Sequence, residues 1–342
     1  MRPTMKAVGH YKYLPIEHPE SLVDVNIDPP QPEGRDLLVE VKAISVNPVD
    51  TKRRAAGNRP DTELKILGWD AAGIVQAAGA QAELFKPGDK VYYAGSNQRP
   101  GTNCQLHRVD ERIVGPKPAN LSFAEAAAMP LTTITAWEAL FERMGISKSG
   151  AHAGRRLLIL GGAGGVGSIA IQLAKKLGRL AVIASASRPD SIAWVKGLGA
   201  DAVVDHTQPL PEQMAALGAP VADYIFCCND TDAIFPDLPR LIAPQGRICS
   251  IVRTLRPVDL APLQEKSVSF AWEGMFTRST FQTPDMQAQH NLLEDAAGLL
   301  EAGTLVTTFR ASLGRICAAN LRQAHQLIEH GHTLGKLVLE GF

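Results

Sequence analysis

The run Gly161-Gly162-Ala163-Gly164-Gly165-Val166-Gly167 follows the apolar stretch Leu157–Leu160 and leads straight into the helix pattern Ser168–Gly178. Strand, glycine turn and helix start, in that order, make a cradle for a dinucleotide pyrophosphate. The backbone N–H groups of a first helical turn have no intrahelical acceptor and face an anion. Gly162 is expected to permit the turn, Gly164 to admit phosphate without a Cβ in the way, and Gly167 to let helix and strand pack closely. The cofactor-binding candidates are therefore Gly162, Ala163, Gly164, Gly165, Val166 and Gly167. About twenty residues further on, an acid would select NAD through the ribose hydroxyls. Here the strand Leu180–Ala184 runs into Ser185-Ala186-Ser187-Arg188, with no acid. The hydroxyls of Ser185 and Ser187 and the guanidinium of Arg188 suit a 2′-phosphate, so NADPH is the expected cofactor. The alternative makes Ser187 the cap of the next helix and Arg188 a solvated charge.

A chain of 342 residues points to two domains. Lys plus Arg and Asp plus Glu both number 35, so no charge surplus indicates nucleic acid or a membrane surface as partner. A small molecule is the expected partner. The cysteines (Cys104, Cys227, Cys228, Cys249, Cys317) lack metal-finger spacing and read as reduced thiols. Met1–Val8 lacks the apolar core of a signal peptide, so the expected location is cytoplasmic.

Up to about Val114 the chain reads as short strands such as Leu37–Val46 and Gly73–Val75. Ser122 with Glu125 forms a capping box, and a helix pattern covers Leu131–Met144. From Leu157 to Val252 strands alternate with helices, which implies a parallel sheet with helices on both faces. Helix patterns at Pro284–Glu301 and Ala318–Glu329 precede a last strand, Lys336–Glu340. The expected architecture is α/β, a nucleotide domain over 131–271 inserted into a β-rich domain over 1–130 and 272–342.

Several spaced motifs agree with this. Gly68-Trp69-Asp70-Ala71-Ala72-Gly73, Phe85-Lys86-Pro87-Gly88-Asp89, Ala126-Ala127-Ala128-Met129-Pro130, the glycine turn and Gly335-Lys336-Leu337-Val338 resemble the quinone oxidoreductase branch of the medium-chain dehydrogenase/reductase superfamily. Within it the chain looks closest to the group labelled zinc-type alcohol dehydrogenase-like. The resemblance implies a Rossmann doubly wound parallel sheet, a GroES-like catalytic domain, a cleft between them, and a homodimer or homotetramer. Zinc-dependent members hold their metal with Cys, His and a further Cys or acid. Here Ser45–Asp50 carries Asn47 and no cysteine, Gly-His-Glu reads Gly68-Trp69-Asp70, and Leu131–Ala136 offers only threonines, so no metal site is expected.

The same resemblance places Asn47, Asp50 and Lys52 on the segment lining the nicotinamide and substrate pocket. Asn47 would donate to the substrate oxygen, Lys52 would steady the anion or supply a proton, and Asp50 would orient both. Thr132, Thr135, Asn229, Ser250, Ile251, Val252 and Lys336 match cofactor-lining positions, while Trp272, Met275 and Phe276 are candidates for an apolar wall. The histidines at 290, 325, 330 and 332 read as surface positions. The expected activity is zinc-independent hydride transfer from NADPH to a quinone or α,β-unsaturated carbonyl. The alternatives are a zinc alcohol dehydrogenase with unconventional ligands and a non-catalytic NADPH-binding sensor.

Overall fold

The computed structural model describes residues 4–56 and 63–342, so Met1–Pro3 of the N-terminal stretch lie outside the described residues. The chain divides into two compact units, one made of Met1–Leu131 with Phe276–Phe342, the other of Thr132–Met275. In chain order the strands are β1 (Met5–His10), β2 (Val23–Ile27), β3 (Asp36–Ser45), β4 (Lys65–Ile66), β5 (Asp70–Ala78), β6 (Lys90–Tyr93), β7 (Leu106–Asp110) and β8 (Val114–Pro116). They continue with β9 (Arg156–Leu160), β10 (Ala181–Ser185), β11 (Ala202–Val204), β12 (Ala222–Cys227), β13 (Ile242–Ser250), β14 (Ser269–Trp272), β15 (Phe309–Ser312) and β16 (Lys336–Glu340).

The first unit is built on β3. Of its ten residues, Leu37–Val41 and Ala43–Ser45 pair with β5 along one edge; on the other, Asp36–Glu40 pair with β7 and Ala43–Ser45 with β16. The larger sheet runs β15-β16-β3-β5-β6-β8, and a smaller one runs β2-β1-β4. Leu37, Val39, Val41 and Ile44 of β3 enter a core with Val75, Val91, Val109 and Leu339. Pairing at the far end brings Ser45 opposite both Asp70 and Val338, so the starts of β5 and β16 meet the end of β3.

The second unit is a single parallel sheet in the order β11-β10-β9-β12-β13-β14. Counted within the unit this is 3-2-1-4-5-6, the Rossmann order, which reverses between β9 and β12 and opens a crevice beyond the carboxyl ends of those strands. Leu157 to Leu160 at its centre are at most 2% exposed. Each such side chain contributes about 1.5–3 kcal/mol of burial.

Several expectations shift. The helix expected over 131–144 is α-helical only over Pro130–Trp137 and widens to a π turn over Glu138–Arg143. The helix expected from Pro284 begins at Ala288, because Ala288 N–H bonds back to Asp285 in a turn. β14 was not foreseen: as an edge strand it buries little, and its side chains carry no alternating apolar signal. His325 is fully buried rather than on the surface, and burial pushes its ring down to about 3. All five cysteines are unpaired, and among the described residues no helix is long and apolar enough to cross a membrane.

Candidate active site

In the second unit the glycine turn closes between β9 and the helix Gly165–Lys176. The left-handed conformation falls on Gly161, φ +84°, while Gly162, expected to permit the turn, is not left-handed. Gly162 is required for space instead, since a Cβ there would lie 2.9 Å from Ala184 Cβ. A Cβ on Gly167 would meet Gly161 O at 2.3 Å and Gly162 Cα at 2.7 Å, so the close helix–strand approach is real. At Gly164 a Cβ would find only Gly161 O, at 3.6 Å. That open face, over partly exposed Ala163, Gly164, Gly165 and Val166, suits the pyrophosphate of a nicotinamide dinucleotide.

Around this turn the predicted residues have distinct places. Ser185 is 1% exposed; its hydroxyl accepts the Gly161 N–H at 2.9 Å and its carbonyl accepts that of Gly162. It braces the turn from beneath, which corrects the expectation that it reaches a phosphate. Ser187 and Arg188 are half-buried. The cap of the helix Pro189–Gly197 is Arg188, not Ser187: its N–H donates to Ser191 Oγ and its carbonyl accepts from the same hydroxyl. The Arg188 side chain is 36% exposed, with Asp190 at 3.4 Å from Nε. Asn229 is exposed after β12, its Cβ 3.4 Å from where a Cβ on Gly161 would stand. Ser250 is fully buried, bonded to Thr231 Oγ1 at 2.5 Å, while Ile251 and Val252 are partly exposed and Ile251 N–H holds Cys227 O. Thr132 and Thr135 are buried on the helix Pro130–Trp137.

The first unit holds a second constellation. Asn47 and Pro48 start the helix Pro48–Ala55, with the Asp50 carboxylate accepting the Asn47 N–H at 2.7 Å. That backbone bond leaves the Asn47 amide free to turn inward, where Nδ2 donates to Asp70 Oδ2 at 2.8 Å and Oδ1 accepts from Lys336 Nζ. Asp70 Oδ2 also accepts from Ser45 Oγ and pairs with Lys336 Nζ at 3.2 Å, and Oδ1 accepts the Leu131 N–H. Lys336 further donates to Val46 O. Ser45, Asn47, Asp50, Asp70 and Lys336 are all at most 3% exposed. Burial pushes the Asp50 carboxyl up to about 7, against the pull of the Asn47 N–H and Lys336. Burial also holds the Lys336 ammonium below its ordinary range, opposed by Asp70 and Asp50.

Asn47 and Asp50 are thus brought together, but Lys52 is exposed on the outer side of the same helix. The cation in the cluster is Lys336, which the sequence had suggested for the cofactor. Trp272 is 46% exposed and stacks edge-on against Phe270; Phe276 packs edge-on against Trp69 at 5.6 Å.

Family models match along the chain: "Alcohol dehydrogenase GroES-like domain" over residues 33–138 and "Zinc-binding dehydrogenase" over residues 198–339. A zinc-type alcohol dehydrogenase-like protein of Staphylococcus aureus (strain MSSA476) is 42% identical over 336 residues, 98% of this chain and 99% of the relative. The chain is a member of the medium-chain dehydrogenase/reductase superfamily. A crystal structure of a proposed zinc-dependent alcohol dehydrogenase from Rhizobium etli CFN 42 is similar at 51% identity and TM-score 0.95, covering 100% of this chain and 99% of that one. An NADPH-dependent alkenal/one oxidoreductase of Arabidopsis thaliana is 32% identical over 234 residues, 66% of this chain and 59% of the relative.

As a medium-chain dehydrogenase/reductase the protein is an oxidoreductase, with a GroES-like first unit and a Rossmann second unit. The zinc in the family description does not fit these residues. Catalytic zinc takes three nitrogen, sulfur or carboxylate donors. Here Asp70 is already neutralised by Lys336, and Trp69 beside it presents an N–H donor without a lone pair. Among the described residues no group of three or more His, Cys, Asp or Glu is placed to hold a metal ion.

Proposed function

We propose that this protein reduces a quinone or an α,β-unsaturated carbonyl with NADPH and without zinc. The observation that carries the reading is the Lys336–Asp70–Asn47 network, in which a protein ammonium balances the carboxylate next to the position of the family's metal-binding histidine. Zinc serves to polarise a carbonyl or alkoxide oxygen. Acceptors that spread the incoming charge over a conjugated system manage with hydrogen-bond donors instead. The nicotinamide supplies the hydride when bound.

The chain's residues then divide the work. The turn Gly162–Gly167, with Asn229, Ile251, Val252, Thr132 and Thr135 around the cofactor, binds and orients it, and Arg188 with Ser187 grips the 2′-phosphate. Asn47 keeps one amide hydrogen beyond that given to Asp70, and Asp50 and Lys336 hold the amide in place. Lys52, on the exposed side of the helix, is the proton source or anion partner. The Arabidopsis relative's name supports both NADPH and the enone class. Five unpaired cysteines support a reducing, cytoplasmic setting, and the family habit supports a homodimer or homotetramer.

The test is NADPH consumption by purified protein against quinones and enones, with and without a chelator, alongside metal analysis. Turnover with an enone or quinone, unchanged by chelator in metal-free protein, is expected. Stoichiometric zinc whose removal abolishes turnover would overturn it.

A further inference from the structure

Trp69 lies between Gly68 and Asp70 at the start of β5, 4% exposed, and its indole Nε1 has no hydrogen-bond partner among the described residues. A buried N–H left without an acceptor costs about 1–3 kcal/mol, so native proteins keep few of them without a use. The ring is held rather than loose: Phe276 packs edge-on against it at 5.6 Å between centroids. Its pyrrole edge borders Gly95, where a Cβ would stand 3.9 Å from Trp69 Cδ1, and Gly95 has none. Next to it Asn103, 1% exposed, also has neither amide atom bonded, and its Oδ1 lies 2.3 Å from where a Cβ on Gly68 would be. Two unsatisfied polar groups thus lie close together: the absence of a side chain at Gly68 lets the Asn103 amide pack against the backbone beside Trp69, and Gly95 puts no Cβ over the indole edge. The neighbouring Asp70 carboxylate, by contrast, is fully bonded.

We propose that the Trp69 indole N–H is the donor that takes the acceptor's carbonyl oxygen, so that Trp69 is a catalytic residue of the metal-free site. This rests on the reductase reading above. Indole N–H donates and does not accept, so it favours a carbonyl oxygen and strengthens its bond as charge builds there toward an enolate or hydroquinone anion. Asn103 sits alongside to orient the substrate.

Trp69→Phe keeps an aromatic ring to face Phe276 and removes the pyrrole part of the indole together with its N–H. Losing an unpartnered buried N–H offsets part of the packing lost with the pyrrole atoms, and thermal unfolding beside the kinetics confirms that the variant is folded. The kcat/KM for cyclohex-2-enone and for duroquinone should fall about 10–100-fold with NADPH affinity within about twofold. The chain has four tryptophans, so the Trp69 indole resonance in a 15N–1H spectrum is the one lost in the variant. In wild type it should move on titration with cyclohexanone in the presence of NADP⁺. Wild-type turnover with an unimpaired Trp69→Phe variant overturns the assignment and spares the reductase reading. Should wild type turn over no acceptor, that reading fails and the cyclohexanone titration alone decides. A resonance that moves supports the assignment; one that stays put means an ordered water occupies the place and overturns it.

Discussion

Lys336 Nζ and Asp70 Oδ2 stand 3.2 Å apart with 3% and 0% of their side chains exposed, at the point where the ends of β3 and the starts of β5 and β16 come together. Taking both charges out of water is expensive, and the pair is sustained by Ser45, Asn47, the Leu131 N–H and Val46 O, which satisfy their remaining valences. Removing one partner is far worse than removing both. Lys336→Met should lose about 3–5 kcal/mol in urea unfolding, and Lys336→Met with Asp70→Leu should regain a good part of it. A single variant as stable as wild type would show that the pair is not what holds this junction.

Asp50 makes the same junction sensitive to pH. Its carboxyl moves from 3.8 to about 7 through burial, so the folded protein holds the proton more tightly than the unfolded chain. The favourable contribution is complete below the lower value and is lost as pH rises through the higher one. Relative to wild type, Asp50→Asn should therefore gain stability between about pH 4 and pH 7, by a few kcal/mol at most, and stay level above about pH 8. Asparagine at 50 still accepts the Asn47 N–H. Parallel stability profiles for the two proteins across that window would refute the assignment.

A second acid lies in the Rossmann unit. Glu273, 5% exposed, meets Arg143 Nε at 2.9 Å, and Glu138 shares the same arginine at 3.8 Å. Burial and the nearby Glu138 push Glu273 up to about 9 from 4.5. The fold should lose stability progressively from about pH 5 to pH 9, and Glu273→Gln should flatten that slope. Chemical unfolding at half-unit pH steps reads it directly.

The two glycines of the turn should respond differently. Gly167→Ala forces a Cβ to 2.3 Å from Gly161 O and should cost about 2–3 kcal/mol of stability. Gly164→Ala has open space and should fold normally, yet weaken NADPH binding tenfold or so by covering the backbone N–H groups. Calorimetric titration beside thermal unfolding separates the two, and equal losses of stability would contradict the geometry.

Arg188 tests the choice of cofactor. Its side chain is 36% exposed, with Asp190 3.4 Å from Nε, and the proposed function has its guanidinium meet the 2′-phosphate. Arg188→Ala should weaken NADPH about 10–100-fold and leave NADH within twofold. Equal effects on the two would assign Arg188 to the helix cap alone.

What could be read before the fold was known follows from the range of the interactions. The capping box at Ser122 and Glu125, the helix Ala318–Glu329 and the strand Lys336–Glu340 depend on neighbours a few residues apart, and each forms as its pattern suggests. The edge strand β14 did not show itself, since a strand that buries little has no apolar alternation to display. Nor did the role of Ser185. Its hydroxyl faces the glycine turn only because β10 pairs beside β9, and that pairing is a property of the sheet.

By itself the sequence determined that a strand, a glycine turn and a helix follow one another from Leu157 to Lys176, because turn conformation and helix start are set by adjacent residues. Through the family resemblance it also led to the expectation that Trp69 and Asn47 take positions where zinc-dependent members carry metal ligands. Only the tertiary structure decided which cation answers Asp70, that Lys52 stays outside while Lys336 is enclosed, and that the Trp69 N–H is left without a partner. Those outcomes depend on which residues distant in the chain share a desolvated interior, where an unpaired charge or donor is costly, and no local pattern encodes that.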